Sequence, residues 1–362
     1  MYDFAVVGAG PTGSRFARRA AEAGHDVVAF ERGDVGKPLA CSGHVSLDLW
    51  EYAPAGAREE LFQNEITGAR FHVGGPGSRE YTFYKREAVS NVIDRVRLDE
   101  LLADAARHAG ADVREGHTVT GIEERTDSVS LTVKGPDGTE TVDAKMVAGC
   151  DGPTSRVRQA LSLPEPDELL HGVLAFDPTP DDGDRVDVHL TAPSFFAWRI
   201  PRGEAGVEYG LAAPPEIDRG ARELFEELTA GYEVETEQFC SGAIPIGPPD
   251  RITSRRGFLI GDAAAQTKPF TGGGILYGMT AADHAARTID PASPETLADY
   301  ERAWRDDLAR EIRLGHWLRR AYSFPEPIQR IGLRLFSGEI GVHMDRPTSL
   351  FSREQVKALL SR

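Results

Sequence analysis

The chain has 362 residues and a net charge of −16, with 41 basic against 57 acidic side chains. This balance argues against a nucleic-acid partner, because phosphates repel an acidic protein. No apolar run is long enough to span a bilayer and the first residues lack a signal-peptide pattern, so the sequence predicts a cytoplasmic protein.

Cysteine and lysine are both rare. Cys41, Cys150 and Cys240 lie far apart and form neither a metal-ligand spacing nor a disulfide framework, so we predict no metal. Only six of the 41 basic residues are lysine. Many acids with few lysines favour adaptation to concentrated salt, and a codon bias towards arginine is the alternative.

The first part of the chain predicts a βαβ unit. The segment YDFAVVGAG is a short apolar strand that runs into glycines, SRFARRAAEAGH is a helix that ends at Gly24, and DVVAFER is a second strand. Leucine and alanine recur on one helix face over 98–109, and strands are expected over 111–124 and 129–150.

The middle and the end of the chain differ from this beginning. Residues 166–250 are interrupted by Pro, Asp and Gly, which predicts a mostly antiparallel sheet, and the chain becomes mainly helical from about 290. We expect an α/β (α+β) fold in three parts. These are a discontinuous nucleotide-binding domain (1–65, 87–165 and 252–290), an inserted β-rich substrate domain (66–86 and 166–251) and a C-terminal helical region (291–362).

A glycine motif marks the predicted nucleotide site. Gly8, Gly10 and Gly13 form G-x-G-x-x-G between the first strand and the first helix. The glycines allow a tight turn, close approach of a pyrophosphate and close helix–strand packing. Glu31 ends the second strand, where a carboxylate accepts hydrogen bonds from a ribose. The strand, helix and acid in register indicate a dinucleotide site.

Two later motifs narrow the choice of dinucleotide. Asp151, Gly152, Ser155 and Arg158 have the spacing D-G-x-x-S-x-x-R, and Gly261-Asp262 precedes a second glycine cluster at 272–274. With the first motif, this set resembles the FAD-dependent family that includes the aromatic hydroxylases. The resemblance implies a Rossmann-like FAD-binding domain, an Asp262 that contacts the ribityl chain, and a following helix whose N-terminus points at the flavin.

A finer resemblance is to the geranylgeranyl reductases, above all the archaeal reductases of digeranylgeranylglycerol phospholipids. The segment VGKPLACSGHVS contains Cys41 within their signature after the second strand. Their pattern P-x-x-Y-x-W-x-F-P is matched by PSFFAWRIP, which keeps Trp198 but replaces the Tyr by Phe196 and the last Phe by Ile200. VIDRVRLDELL and KPFTGGGILYGM also resemble family segments. The resemblance covers most of 1–290.

This resemblance implies an enzyme that uses FAD to hydrogenate the double bonds of geranylgeranyl chains in archaeal membrane lipids or their precursors. It places the Cys41 thiol near the flavin, where we predict a proton donor; holding the flavin face and filling space as a small buried hydrophobe are the alternatives. It also implies Phe196, Trp198 and Ile200 as a wall for the prenyl chain rather than plain core. The implied cofactor-binding residues are Gly8, Gly10, Thr12, Gly13, Glu31, Arg32, Cys41, Ser42, His44, Arg95, Val119, Asp151, Gly152, Asp262, Gly273, Gly274 and Ile275.

Three other functions fit parts of the sequence. An FAD-dependent monooxygenase of a small aromatic or isoprenoid substrate fits the FAD motifs but not the Cys41 segment. A flavin halogenase has a W-x-W-x-I-P pattern that FAWRIP matches only in part. A flavin-binding membrane-associated protein without enzymatic activity is the third.

The expected partners are a polyprenyl lipid, an electron donor and a membrane surface. No second G-x-G-x-x-G offers a nicotinamide site, so ferredoxin or an NAD(P)H-linked reductase is the predicted donor. Peripheral contact with the inner face of the membrane is predicted for 308–336, which contains six arginines, two acids and several large apolar residues. The arginines are Arg310, Arg313, Arg319, Arg320, Arg330 and Arg334.

Overall fold

The computed structural model describes residues 1–39, 41–215, 219–339 and 345–346. The strands, in chain order, are β1 (Tyr2–Val7), β2 (Val27–Phe30), β3 (His44–Ser46), β4 (Phe62–Ile66), β5 (Gly68–His72), β6 (Glu80–Tyr84), β7 (Ser90–Ile93), β8 (Asp112–Arg114), β9 (Thr118–Glu124), β10 (Val129–Gly135), β11 (Gly138–Gly149), β12 (Glu168–Asp177), β13 (Arg185–His189), β14 (Ala197–Pro201), β15 (Val207–Ala213), β16 (Glu237–Ile246) and β17 (Gly257–Leu259).

The α-helices are α1 (Pro11–Glu22), α2 (Leu49–Tyr52), α3 (Ala57–Leu61), α4 (Arg95–His108), α5 (Arg156–Ala160), α6 (Ala221–Tyr232), α7 (Ile275–Thr288), α8 (Leu297–Arg319) and α9 (Glu326–Phe336). A 3₁₀ turn spans Gly261–Ala264. In the part of the chain that the structure describes, no helix is both long and apolar enough to cross a membrane.

The first sheet gathers strands from distant parts of the chain. Its order is β8-β2-β1-β11-β10-β9, and β17 pairs with β11. The pairs β1–β2, β1–β11 and β11–β17 are parallel, so these strands end at one edge. Phe4, Phe16 and Phe258 pack edge to face in its core. Short apolar strands buried on both faces explain why the sequence here lacks alternation.

The second sheet has the order β16-β12-β15-β14-β13-β5-β6 and is antiparallel except where β13 runs parallel to β5. The hairpin of β5 and β6 therefore joins strands that lie a hundred residues later in the chain. A small sheet, β3-β7-β4, is formed by strands that precede and follow this hairpin in the chain. The predicted division of the chain into domains, with 66–86 and 166–251 in one substrate domain, stays a prediction.

Side chains alternate between the two faces of the second sheet. In β13, Val186 and Val188 face a large cavity, whereas Asp187 and His189 line a polar cleft on the opposite face. The same alternation in β14 places Trp198 and Ile200 at the cavity and Arg199 at the cleft. This is the period of two that an extended strand imposes.

The helical end of the chain corrects one expectation. Arg319 does not face outward: it is buried, and its guanidinium forms a two-point ion pair with Glu168 of β12, with N–O distances of 2.7 and 2.9 Å. Its Nε also donates to the carbonyl of Ser194. Arg319 therefore fastens the end of α8 to the second sheet, whereas Arg310, Arg313, Arg320, Arg330 and Arg334 are exposed.

Candidate functional site

A cavity of about 630 Å³ runs between the two large sheets. At one end it is bordered by the first glycine motif, through Gly10 and Thr12, and by Gly274 ahead of α7. At the other end it is bordered by the apolar face of the second sheet, through Phe196, Trp198 and others. Its volume is that of an ordinary small-molecule site.

Each of the three positions in the first motif requires glycine for a different structural reason. Gly8 has φ +96°, a conformation that side chains disfavour, and a Cβ on it would overlap the carbonyl of Cys150. A Cβ on Gly13 would overlap the carbonyl of Gly8. A Cβ on Gly10 meets nothing within 4 Å and points into open space at the N-terminus of α1. The first two glycines serve the fold, and Gly10 keeps space clear.

Glu31 is oriented by the glycine loop. Its Oε2 accepts from the backbone N–H of Ala9 at 2.9 Å, and its Oε1 accepts from the N–H of Arg32 at 2.9 Å. The carboxylate is therefore held beside the loop between β1 and α1. Neither Glu31 nor Arg32 lines the main cavity, and a contact of either with the cofactor stays a prediction.

The D-G-x-x-S-x-x-R segment folds as a helix cap. Asp151 accepts from the Ser155 hydroxyl at 2.5 Å and from the N–H of Arg156 at 2.7 Å, at the start of α5. Gly152, with φ +80°, lines the cavity. Arg158 is buried and donates to the carbonyl of Ala263, which ties this loop to the 3₁₀ turn.

Val119 lies apart from the cavity. It is buried in β9, and its carbonyl accepts from Arg156. A contribution to cofactor binding from this position stays a prediction.

The second glycine cluster brings Asp262 to the start of α7. A Cβ on Gly274 would overlap Oδ1 of Asp262, so only glycine allows this approach. Burial raises the pKa of Asp262 to about 6, although Arg95 acts in the opposite direction. Gly273, Gly274 and Ile275 line the cavity beside it.

Cys41 and Arg95 meet at the cavity wall. Arg95 is buried and forms a two-point ion pair with Asp99, one turn later in α4, with N–O distances of 2.6 and 3.2 Å. Burial raises the pKa of the Cys41 thiol, and a hydrogen bond and the charge of Arg95 oppose that rise. The sulfur therefore keeps its proton near neutral pH, with a cation beside it.

His44 and Lys268 add polar groups to the same wall. The Nε2 of His44 lies 2.7 Å from the hydroxyl of Ser90. Burial, helped by the charge of Lys268, lowers the pKa of His44 to about 4, so its ring is neutral near pH 7. Lys268 forms a buried ion pair with Asp345 at 2.6 Å.

The wall formed by the second sheet is aromatic and aliphatic. Phe196 lies 5.9 Å from Trp198 between ring centroids and packs on Tyr322 from the end of α8. Trp198 donates its Nε1–H to Glu208 at 2.8 Å. Further apolar lining residues are Ile66, Phe71, Val186, Val188, Ile200, Ile244 and Leu318.

Several residues of this site escape sequence reasoning. Leu318 and Tyr322 line the cavity although they lie far along the chain from its other lining residues, and Lys268 lines it beside the second glycine cluster. The sequence could have indicated Glu208, because it is the only acid in the apolar strand segment VEYGLAA. A buried strand places such an acid where it needs partners.

Comparison with known proteins decides the family. The FAD binding domain family matches residues 1–194. A digeranylgeranylglycerophospholipid reductase of Methanococcoides burtonii is 31% identical over 349 residues, covering 86% of this chain and 81% of that protein. One from Methanothermobacter thermautotrophicus is 29% identical, covering 86% and 85%. This chain belongs to the FAD-binding family of these reductases.

Solved structures show the same fold. A geranylgeranyl bacteriochlorophyll reductase-like protein from Thermoplasma acidophilum superposes with a TM-score of 0.84 at 22% identity, covering 100% of this chain and 96% of that one. A p-nitrophenol 4-monooxygenase from Pseudomonas putida superposes with a TM-score of 0.71 at 17% identity, covering 100% and 97%. At these identities the likeness concerns the fold alone.

The residues present fit FAD, the cofactor of this family. The open space in front of Gly10 adjoins the first turn of α1, whose N–H groups have no partners within the helix. Glu31 is fixed beside that turn for a ribose, and Asp262 lies at the start of α7. The cavity between these two helix N-termini is lined by Thr12, Gly152 and Gly274. The individual contacts of these residues with FAD stay predictions.

Proposed function

We propose that this protein hydrogenates the carbon–carbon double bonds of geranylgeranyl chains in archaeal membrane lipids or their precursors. The observation that carries the proposal is the continuity of the cavity. It runs from the FAD motifs at Gly10 and Gly274 to the apolar wall at Trp198 and Val188. A prenyl chain on that wall would reach the flavin end, and relatives named digeranylgeranylglycerophospholipid reductases support the substrate class.

The cofactor supplies the electrons for this reaction. Bound and reduced FAD provides two electrons and one hydrogen to a double bond, which side chains cannot do. The protein positions the alkene and excludes water. Each methylene buried against the wall contributes ~0.8 kcal/mol, so a long chain gains more binding energy than a short one.

Cys41 is our candidate for the donor of the second hydrogen, as a proton. Its thiol lines the cavity and keeps its proton because burial raises its pKa. After transfer the sulfur carries a negative charge, which Arg95 stabilises from its fixed place beside Asp99. Burial therefore keeps the thiol protonated before the transfer, and Arg95 reduces the free-energy cost of the thiolate after it.

The direct test uses the reduced protein under anaerobic conditions. We expect dithionite-reduced protein to saturate an unsaturated archaeal lipid, detected by mass spectrometry. Cys41→Ala should keep its FAD but react roughly 10²-fold more slowly, since a placed general acid contributes that much or more. Cys41→Ser should be intermediate. Oxygen-dependent turnover of a phenol, with no saturated lipid, would instead favour a monooxygenase.

The cofactor site has its own test. Gly10→Val should fold normally, because a Cβ there meets no protein atom within 4 Å, yet it should bind no FAD. Gly8→Ala is the contrasting variant. It should lose stability through overlap with Cys150 and a strained backbone, whether or not FAD is present. Flavin absorbance and thermal unfolding separate the two effects, and stoichiometric FAD in Gly10→Val would contradict the assignment.

We further propose that α9 and the end of α8 rest on a membrane surface. Ile328, Ile331 and Leu335 follow one face of α9 and are 52%, 61% and 66% exposed. Trp317, Phe324 and Phe336 are also exposed, and Arg320, Arg330 and Arg334 lie among them. Exposed apolar side chains with arginines suit the lipid headgroup boundary.

The same segment links this surface to the cavity. Leu318 and Tyr322 line the cavity, while Trp317 and Phe324, beside them in sequence, are exposed. A lipid would thus enter from the bilayer on the cytoplasmic side. Leu335→Asp should reduce co-sedimentation with vesicles of anionic archaeal lipids. Leu47→Asp changes an exposed leucine outside this segment and should not, and equal binding by both variants would reject the surface.

The electron donor stays a prediction. Any flavin reductase needs a reductant, and we propose ferredoxin or an NAD(P)H-linked reductase for this protein. The test is to mix the protein with each candidate donor under anaerobic conditions and to measure reduction of the bound flavin through the loss of its visible absorbance.

A further inference from the structure

Glu208 is a buried carboxyl group between two walls of the cavity, and the function proposed above does not use it. It lies within β15 with 0% of its surface exposed. Among the described residues, no cation lies within ion-pair distance of it, although the charge of Arg202 acts on it from further away. Burying a carboxyl group costs free energy unless hydrogen bonds compensate for the lost water. Its hydrogen-bond partners therefore indicate what this acid does.

One oxygen of Glu208 holds Trp198 on the wall formed by the second sheet. Its Oε1 accepts from the indole N–H at 2.8 Å. Strand β14 pairs with β15 so that Trp198 lies opposite Gly210, and a Cβ on Gly210 would lie only 2.4 Å from the indole ring. The indole is therefore fixed by Glu208 at its N–H and by close contact with Gly210.

The other oxygen faces the segment that carries Cys41. The Oε2 of Glu208 lies 3.4 Å from the backbone N of Gly43, and the Ser42 hydroxyl also hydrogen-bonds to this carboxyl group. The carbonyl of Gly43 accepts from the N–H of Ile93 in β7 at 2.9 Å. Cys41 and Ser42 both line the cavity. Residues 41–43 are therefore held between β7 on one side and Glu208 on the other.

These partners explain why an acid occupies a buried place. The indole of Trp198 and the backbone N–H of Gly43 can only donate, and a carboxyl group can accept on both of its oxygens. A glutamine has one acceptor oxygen, and its NH₂ group would face one of these donors. Burial raises the pKa of Glu208, whereas its hydrogen bonds and the charge of Arg202 act in the opposite direction, towards the carboxylate.

We propose that Glu208 is a positioning residue for the hydrogenation, which bridges Trp198 and the Cys41 segment and so fixes the prenyl wall relative to the thiol. This inference rests on the proposed function, in which the wall and Cys41 act on the same double bond. A displacement of about 1 Å between reacting groups can slow a reaction ~10²-fold. Binding of the prenyl chain depends instead on the apolar area of the wall, which the bridge does not change. Glu208 therefore governs the rate of reduction more than the affinity for the lipid.

The first test is Glu208→Gln, which keeps the length of the side chain but breaks the bridge at one end. Protein reduced with stoichiometric dithionite is mixed anaerobically with the unsaturated lipid, and the rate constant of flavin reoxidation is measured at increasing lipid concentration. We expect the limiting rate constant to fall roughly 10-fold, while the half-saturating lipid concentration changes less than ~2-fold. A single-turnover rate constant does not depend on the fraction of folded protein, so a merely structural role would not lower it.

The matched control is Glu204→Gln, which changes an exposed acid just before β15 and should behave as wild type. Wild-type rate constants in Glu208→Gln, or a loss of lipid affinity without a loss of rate, would overturn the proposal.

A double variant tests whether Glu208 acts through the bridge. Trp198→Phe removes the indole N–H and breaks the bridge at its other end. Two substitutions that break one bridge are not independent, so the double variant should be no slower than the slower of the two single variants. Rate losses that multiply in the double variant would overturn the proposal.

A measurement without turnover follows the indole N–H of Trp198. In protein labelled with ¹⁵N-tryptophan, Trp198→Phe identifies the resonance of this residue among those of the four tryptophans. Glu208→Met removes both acceptor oxygens, so the resonance should move and the N–H should exchange faster with deuterium, whereas Glu204→Gln should change neither. An unchanged resonance in Glu208→Met would overturn the bridge. If wild type saturates no lipid, the proposed function fails, and this resonance still decides whether Glu208 holds Trp198.

Discussion

The two faces of the second sheet use alternate residues of the same strands and have opposite chemistry. One face carries Val186, Val188 and Trp198 and encloses the apolar cavity. The other carries Asp187, His189 and Arg199 and lines a polar cleft. In that cleft Asp187 holds His72 and Arg70, and His189 stacks on His72 with ring centroids 4.5 Å apart.

The difference shows that the alternate residues of one strand can serve two separate roles. The apolar face has few directional contacts, so a flexible chain can slide along it, whereas the polar face is fixed by ion pairs and hydrogen bonds that demand one geometry. The hydroxyl of Tyr232, for example, lies 2.7 Å from Nε2 of His189. We infer that the polar face keeps the sheet rigid and the apolar face holds the ligand. The following predictions test that division.

The largest effect is expected at Asp187. Burial alone raises its pKa, but His72 and Arg70 outweigh burial and hold it below its ordinary value. Asp187→Ala should therefore leave the buried ring of His72 and the guanidinium groups of Arg70 and Arg199 without this partner, and lower the free energy of unfolding by ~3–5 kcal/mol. Denaturant unfolding measures the loss. Asp182→Ala, at an exposed position of the same segment, should stay within ~0.5 kcal/mol of wild type.

The second effect is a pH dependence at His189. Burial, with the charge of His72 second, lowers the pKa of His189 to about 4, so the folded protein keeps this ring neutral. The unfolded chain binds a proton near pH 6.5, so stability is present above that pH and is lost as pH falls towards 4. At pH 5 the loss is on the order of 2 kcal/mol. His189→Gln should flatten this slope, and the exposed His171→Gln should not.

The smallest effect concerns the apolar face. Val188→Phe adds a ring to the cavity wall and should change thermal unfolding little, because space is present there. It should weaken long prenyl substrates. If two methylenes are displaced, the loss is ~1.6 kcal/mol, about 15-fold in affinity. The control is the affinity of the same variant for a short prenyl substrate. An equal loss of affinity for the long and the short substrate would mean that the ring disturbs the whole site rather than shortening the cavity.

The sequence predicted those parts of the molecule that depend on neighbours in the chain. The FAD cofactor and the α/β fold were predicted correctly, because the spacing of Gly8, Gly10 and Gly13 encodes a local turn. The alternation in FFAWRIP likewise predicted that Phe196, Trp198 and Ile200 share a face. Their contact with substrate, and the other site roles, stay predictions.

Side-chain partnerships between distant segments could not be predicted in this way. The excess of arginine over acids in 308–336 predicts a surface position for Arg319, whereas its partner, Glu168, lies 151 residues earlier in the chain. Lys268 and Asp345 likewise pair across 77 residues of chain that include α7, α8 and α9. Such pairs depend on packing, which residue patterns do not encode.

The order of the strands in the first sheet has a consequence for biogenesis. β17 completes the sheet beside β11, and Asp262 and the glycines before α7 follow it directly. The ribosome therefore finishes the βαβ unit long before it makes the last segment of the same site. Contacts between such distant segments form slowly. FAD can be enclosed only after the segment that leads into α7 has been synthesised, so newly made protein should pass through a flavin-free stage in which the apolar cavity wall lacks its cover.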